Sequence, residues 1–134
     1  KRMVAGQGLA DRVEFPGWLT TKEIQQLSAK YRLGVFPSRI ESFGLSVVEA
    51  MAGGLPVIAA CAGAIPENVE DGITGTLVPR GNSDALADAL IRAIKDPASQ
   101  EALAYKAREV VHHKFSWNRT ASQMIKLYQA LRKR

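Results

Sequence analysis

Apolar positions along the chain follow two alternating patterns. Short continuous runs closed by Pro or Gly alternate with longer stretches in which apolar residues recur every three to four positions, the marks of strands and helices respectively. Val13-Glu14-Phe15 predicts a first short strand ending at Pro16-Gly17. Thr20 stands three residues before Glu23, a capping box that opens a helix with Ile24, Leu27 and Tyr31 on one face. Leu33-Gly34-Val35-Phe36 predicts a second strand, closed by Pro37-Ser38. A helix starts near Gly44, runs through Val47, Val48 and Met51, and stops at Gly53-Gly54. Pro56-Val57-Ile58-Ala59-Ala60 is apolar throughout, as a strand covered on both faces should be. A turn or short helix from Pro66 to Val69 leads to a fourth strand, Gly75-Thr76-Leu77-Val78.

The rest of the chain is helical. Leu86, Ala89, Leu90, Ala93 and Ile94 share a face that begins at Asn82 or Ser83 and stops before Pro97. Leu103, Ala107, Val110 and Val111 repeat the pattern, and Ser116 caps a last helix presenting Trp117, Ala121, Met124, Tyr128 and Leu131. Strands alternating with helices predict an α/β domain over residues 1–134, a Rossmann-like parallel sheet with helices on both faces. There is no internal repeat and no linker.

Composition narrows the picture in three ways. A length of 134 residues, 46% hydrophobic and 23% charged, is that of one globular domain and excludes a disordered or low-complexity chain. Cys61 is the only cysteine, so no intrachain disulfide or cysteine-based zinc site can form; at a strand end it reads as a small buried side chain. The net charge of +5 is uneven. From Tyr105 onward, Lys106, Arg108, Lys114, Arg119, Lys126, Arg132, Lys133 and Arg134 face Glu109 alone, a local balance of +7. This segment is a solvated helix face or a contact for an anionic membrane surface. No aromatic residues interleave with the charges to stack on bases, so nucleic acid is not expected. The uncharged stretch from Ala50 to Pro66 is broken by Gly53, Gly54, Pro56 and Gly63 and does not read as a membrane span. Lys1 in place of an initiator Met suggests a chain cut from something longer.

Two carboxylates stand out. Glu49 has no Lys or Arg one helical turn away, so on a packed face it needs a partner or a ligand hydroxyl; otherwise it sits on the solvent side. Glu41 lies in the loop between the second strand and the following helix. Free backbone N–H groups at Phe43, Gly44 and Leu45 suit an anion there, and Gly44 allows close approach to a phosphate. The plainer alternative makes Ser42 an ordinary N-cap with Glu41 beside the helix dipole. His112 and His113 close a helix, where positive charge is favourable, and Trp117 and Tyr128 read as core.

The run Glu41-Ser42-Phe43-Gly44-Leu45-Ser46-Val47-Val48-Glu49 resembles the E-x7-E signature of the retaining family 4 glycosyltransferases, which use nucleotide sugars and have the two-domain GT-B fold. The likeness extends through Val13-Glu14-Phe15-Pro16-Gly17, Phe36-Pro37-Ser38 and Ala50-Met51-Ala52-Gly53-Gly54-Leu55-Pro56-Val57. It continues in Pro66-Glu67, Asp71-Gly72, Gly75 and Val78-Pro79. The resemblance implies the C-terminal, donor-binding half of a GT-B enzyme, truncated at its N-terminal edge and lacking the acceptor domain. It implies that Glu41 is the catalytic carboxylate beside the donor sugar. Ser42, Phe43, Gly44 and Leu45 would meet sugar and diphosphate, Glu49 the ribose, and Trp18 and Leu19 the base.

The implied partners are a nucleotide sugar and the acceptor domain of the same parent chain, in the cytoplasm or on the cytoplasmic membrane face. No cofactor or metal is expected, since the chain has no Asp-x-Asp. Two departures stand. The family's diphosphate-binding Arg and Lys have no counterpart here, and Gly63-Ala64 replaces the usual Gly-Gly. Rival readings are a nucleotide-sugar epimerase of related fold and a non-enzymatic α/β module that docks lipid or a partner. E-x7-E together with the Glu49-Ala50-Met51-Ala52 run argues against the epimerase.

Overall fold

The computed structural model describes residues 1–132. Three strands, β1 (Gly34–Phe36), β2 (Val57–Ala60) and β3 (Thr76–Val78), form a parallel sheet in that order. Val35 lies opposite Ile58, and Ile58 opposite Thr76. Parallel neighbours require crossovers. Here α3 (Leu45–Ala52) joins β1 to β2, and the short α4 (Ile65–Asn68) joins β2 to β3. They are preceded by α1 (Arg2–Gly6), a 3₁₀ turn (Ala10–Arg12) and α2 (Thr21–Ser28). The chain continues as α5 (Ser83–Lys95), α6 (Pro97–Lys114) and α7 (Trp117–Arg132).

Strand alternation assigns β2 to two cores at once. Val57 and Ala59 pack with Val47, Val48 and Met51 of α3, Ile65 of α4, and Ala107 and Val111 of α6. Ile58 and Ala60 point the other way, against Ala89 and Ala93 of α5 and Val78 of β3. All four β2 residues are buried, as its unbroken apolar run predicts. Ala89 and Ala93 let α5 lie close to the sheet, and Ala107 lets α6 lie close to α3.

The predicted caps are present where helix starts are marked. Thr20 accepts from the Glu23 N–H and Glu23 from the Thr20 N–H at 2.8 Å, completing the box on α2. Asn82 caps α5 through the Ala85 N–H at 2.9 Å. Asp96 caps α6 through Ser99, a cap the sequence reading omitted. Ser116 accepts from the Arg119 N–H at the start of α7.

Four expectations are corrected. The segment 13–15 is not a strand: Val13 is extended, but no neighbouring strand offers it a ladder, and Val13 and Phe15 are exposed. The sheet therefore has three strands among the described residues. Trp117 and Tyr128 are not core. They are 86% and 62% exposed, because the apolar face of α7 has nothing to lie on among the described residues. Cys61 is exposed rather than buried: it is the first residue past β2, where the chain turns and tucks Ala62 inward instead. Tyr31 lies beyond the end of α2 and is exposed. His112 and His113 occupy the last turn of α6, as predicted. Lys133 and Arg134, part of the predicted basic segment, lie outside the described residues. Among the described residues no helix is long and apolar enough to cross a membrane.

Candidate functional site

Three connections leave the carboxyl ends of the parallel strands: residues 37–44 after β1, 61–64 after β2, and 79–82 after β3. In open α/β sheets this is where ligands bind. The first connection carries most of the candidate residues, and the structure holds it from several sides.

Gly44 is the N-cap of α3, in the left-handed region at φ 84° and ψ 40°. A side chain there would be strained, and its Cβ would sit 3.2 Å from Ile65. No side chain caps α3, which overturns the reading of Ser42 as an N-cap. Ser42 instead donates its own N–H to Glu41 Oε1 at 3.0 Å. The Val47 and Val48 N–H groups both reach the Gly44 carbonyl. Among the described residues the N–H groups of Gly44, Leu45 and Ser46 have no hydrogen-bond acceptor. Unpaired donors at a helix start, aligned with the helix dipole, suit an anion.

The loop is pinned by groups distant in sequence. Gly63, at φ 51°, lies against the Glu41 backbone so closely that an added Cβ would overlap the Glu41 carbonyl oxygen. Asn68, only 7% exposed, donates Nδ2–H to the Phe43 carbonyl at 2.6 Å. The Phe43 ring meets Phe115 edge-on, with centroids 5.6 Å apart and planes at 80°. Lys114 lies over Phe115, 5.1 Å from the ring centre, and donates to the Glu67 carbonyl at 2.6 Å. Arg80 donates to the Arg39 carbonyl at 3.3 Å. Sequence reasoning missed Gly63, Asn68 and Phe115 as site-building residues. Asn68 was the findable one, a lone amide beside Ile65 and Val69 in a turn that otherwise packs.

Glu41 is half-buried, with no cationic partner among the described residues. Glu49 is exposed, while Val47, Val48 and Met51 of the same helix face the core. It lies one turn beyond Leu45 on the solvent side of α3, so it needs no buried partner. Residues 41–45 and Glu49 thus share one loop and one helix face. Trp18 is 86% exposed and Leu19 half-buried on the segment before α2, and no hydrogen bond among the described residues joins that segment to the loop. No three His, Cys, Asp or Glu side chains among the described residues converge on a metal-binding group. A cavity of about 670 Å³ opens at the other end of the sheet, between Leu33, Pro56, Ala93 and Tyr105, away from these loops.

Residues 1–110 match the family model described as glycosyl transferases group 1. The chain belongs to that family. Among group 1 relatives, the D-inositol 3-phosphate glycosyltransferase of Actinosynnema mirum is 42% identical over 125 residues, 90% of this chain and 29% of its own. The MMP alpha-(1->4)-mannosyltransferase of Mycolicibacterium hassiacum is 34% identical over 130 residues, 96% and 32% of the two chains. Sucrose-phosphate synthase of Thermosynechococcus elongatus superimposes with a TM-score of 0.88 at 38% identity, covering 97% of this chain and 33% of that one. Anabaena HepE, solved in complex with UDP, gives a TM-score of 0.89 at 32% identity, covering 96% and 35%. The fold is therefore the α/β fold of GT-B glycosyltransferase structures. The chain spans about a third of the length of the relatives it matches.

Proposed function

We propose that the chain binds a nucleoside-diphosphate sugar as the donor-binding part of a retaining, family 4 GT-B glycosyltransferase. The observation that carries this reading is the uncapped start of α3, where the N–H groups of Gly44, Leu45 and Ser46 lack acceptors beside the half-buried Glu41. Family membership and the UDP and UDP-glucose complexes of HepE support it.

In this reading the diphosphate lies at the α3 N-terminus, where backbone donors and the helix dipole stabilise the charge that grows as the leaving group departs. Glu49, on the exposed side of α3, accepts hydrogen bonds from the ribose hydroxyls. Glu41 faces the sugar near its anomeric carbon, where an acceptor hydroxyl attacks from the face that the nucleoside diphosphate leaves. Ser42 and Phe43 border the sugar, and Trp18 and Leu19 border the base. The acceptor site belongs to a further domain of the parent protein, and the cations that balance the diphosphate come from elsewhere in that parent, which works in the cytoplasm or at the cytoplasmic membrane face.

Calorimetry against UDP, GDP and ADP, with and without attached sugars and with inorganic phosphate as control, tests the proposal. One nucleoside diphosphate should bind in preference to the others and to phosphate. Equal response to phosphate and to every nucleotide would overturn the reading in favour of a non-enzymatic α/β module.

A further inference from the structure

The Phe43–Gly44 peptide has a fixed direction. Every peptide bond among the described residues is trans, so a carbonyl and the N–H that follows it point in opposite directions. The Phe43 carbonyl is drawn to one side by Asn68 Nδ2, 2.6 Å away, on a side chain that is almost wholly buried. The Gly44 N–H must therefore point to the opposite side, and there it finds no acceptor among the described residues. The left-handed backbone at Gly44 then carries the chain from this peptide into α3. A rotated peptide would present a carbonyl oxygen to that side and repel an anion.

We infer that Asn68 is a positioning residue that sets this peptide, holding the Gly44 N–H toward the bound diphosphate while itself touching no substrate. The inference rests on the reading of the α3 N-terminus as the diphosphate site. Asn68 sits on α4, in a different crossover from the loop it orients, so it acts through the backbone alone. The Phe43–Phe115 contact fixes the side chain of the same residue, which leaves the amide of Asn68 to decide the rotation of the peptide.

Two variants of the full-length protein remove the donor. Asn68→Leu keeps the volume without the amide, and Asn68→Asp, at mildly alkaline pH, places a repelling oxygen against the Phe43 carbonyl. For each, affinity is measured for the preferred nucleoside diphosphate and for the matching nucleoside without phosphate. Loss of one oriented donor should weaken diphosphate binding about tenfold and leave nucleoside binding unchanged. A purely structural role would weaken both together or neither, and either result in a folded variant overturns the inference. A third readout needs no variant: with ¹⁵N-glycine labelling, the Gly44 amide of the wild-type protein should shift on adding the diphosphate and not on adding the nucleoside. An unmoved Gly44 amide in a protein that binds the diphosphate also overturns it. Should the wild-type protein bind no nucleotide at all, the donor-site reading itself falls. The peptide assignment is then tested by the Gly44 amide of Asn68→Leu, whose resonance should differ from wild type if the peptide turns and coincide with it if Asn68 sets nothing.

Discussion

Gly63 and Glu41 are far apart in sequence, yet the space for one is defined by the backbone of the other. An alanine at 63 brings a Cβ onto the Glu41 carbonyl oxygen and strains a left-handed backbone. Gly63→Ala should cost about 2–4 kcal/mol in urea unfolding, from overpacking and the left-handed backbone together. A loss below about 0.5 kcal/mol, the range of an ordinary surface change, would show that the loop simply moves aside. The two carboxylates should fail differently. Glu49 is exposed, so Glu49→Gln should leave the melting temperature alone while weakening nucleoside-diphosphate binding roughly ten- to hundredfold, the worth of charge-assisted hydrogen bonds to a ribose. Glu41→Gln should lower the turnover of the full-length enzyme more than its affinity for free nucleoside diphosphate, since it is assigned to charge that develops in the transition state. Equal effects on nucleotide affinity would show the pair misassigned. The placement of Glu41 in the loop after β1 and of Glu49 on α3 was legible in the sequence, because Pro37-Ser38 and Gly53-Gly54 bound that loop-and-helix unit. The partners of Gly63 and Asn68 were not, because each acts on a backbone atom in a connection that only the fold brings near. Cys61 was misread because the apolar run of β2 gives no sign of the residue at which the chain leaves the sheet.

Local rules served well wherever an element is defined by its own residues. The helices from α3 onward begin and end close to where caps, Gly and Pro place them, and β2 declares itself by being apolar at every position. Segment 13–15 failed because a strand is defined by its neighbour, and three residues of alternation say nothing about who that neighbour is. The α2 capping box allows a direct test of such local rules. The Glu23 carboxyl is held below its ordinary value of 4.5, first by the Thr20 hydroxyl and then by the Thr20 backbone N–H. A carboxyl depressed in the folded state stabilises above its unfolded value and loses that contribution as pH falls through its folded value. Protection of the Thr20 and Glu23 amides, the two held by the box, against hydrogen exchange should therefore be full above pH 4.5 and decline below it. In Glu23→Ala the decline should vanish; an identical decline in wild type and variant would place its cause elsewhere. The effect is confined to α2, which buries no residue.

On the scale of the whole molecule, the last helix does not join the core. The apolar side chains of α7 remain exposed, with Arg119 and Lys126 among its polar positions. Attraction to an anionic bilayer amounts to about 1 kcal/mol per cation near the surface and is screened by salt. Vesicles rich in phosphatidylserine should bind the protein at low ionic strength and release it as salt is raised. Absence of binding at low salt would make the cations a solvated face only. The clamps on residues 37–44 have a consequence for the order in which the molecule is made. Asn68 reaches Phe43 across 25 residues and Arg80 reaches Arg39 across 41, while Phe115, just past α6, packs on the Phe43 ring. Each closes a loop whose entropy is lost before the contact forms. The loop therefore takes its final shape late, after α6 has been synthesised and has docked beside α3. In the proposed reading a nucleotide would be held only once these contacts have formed. Free nucleotide would then protect the folded molecule and give no shelter to its precursors.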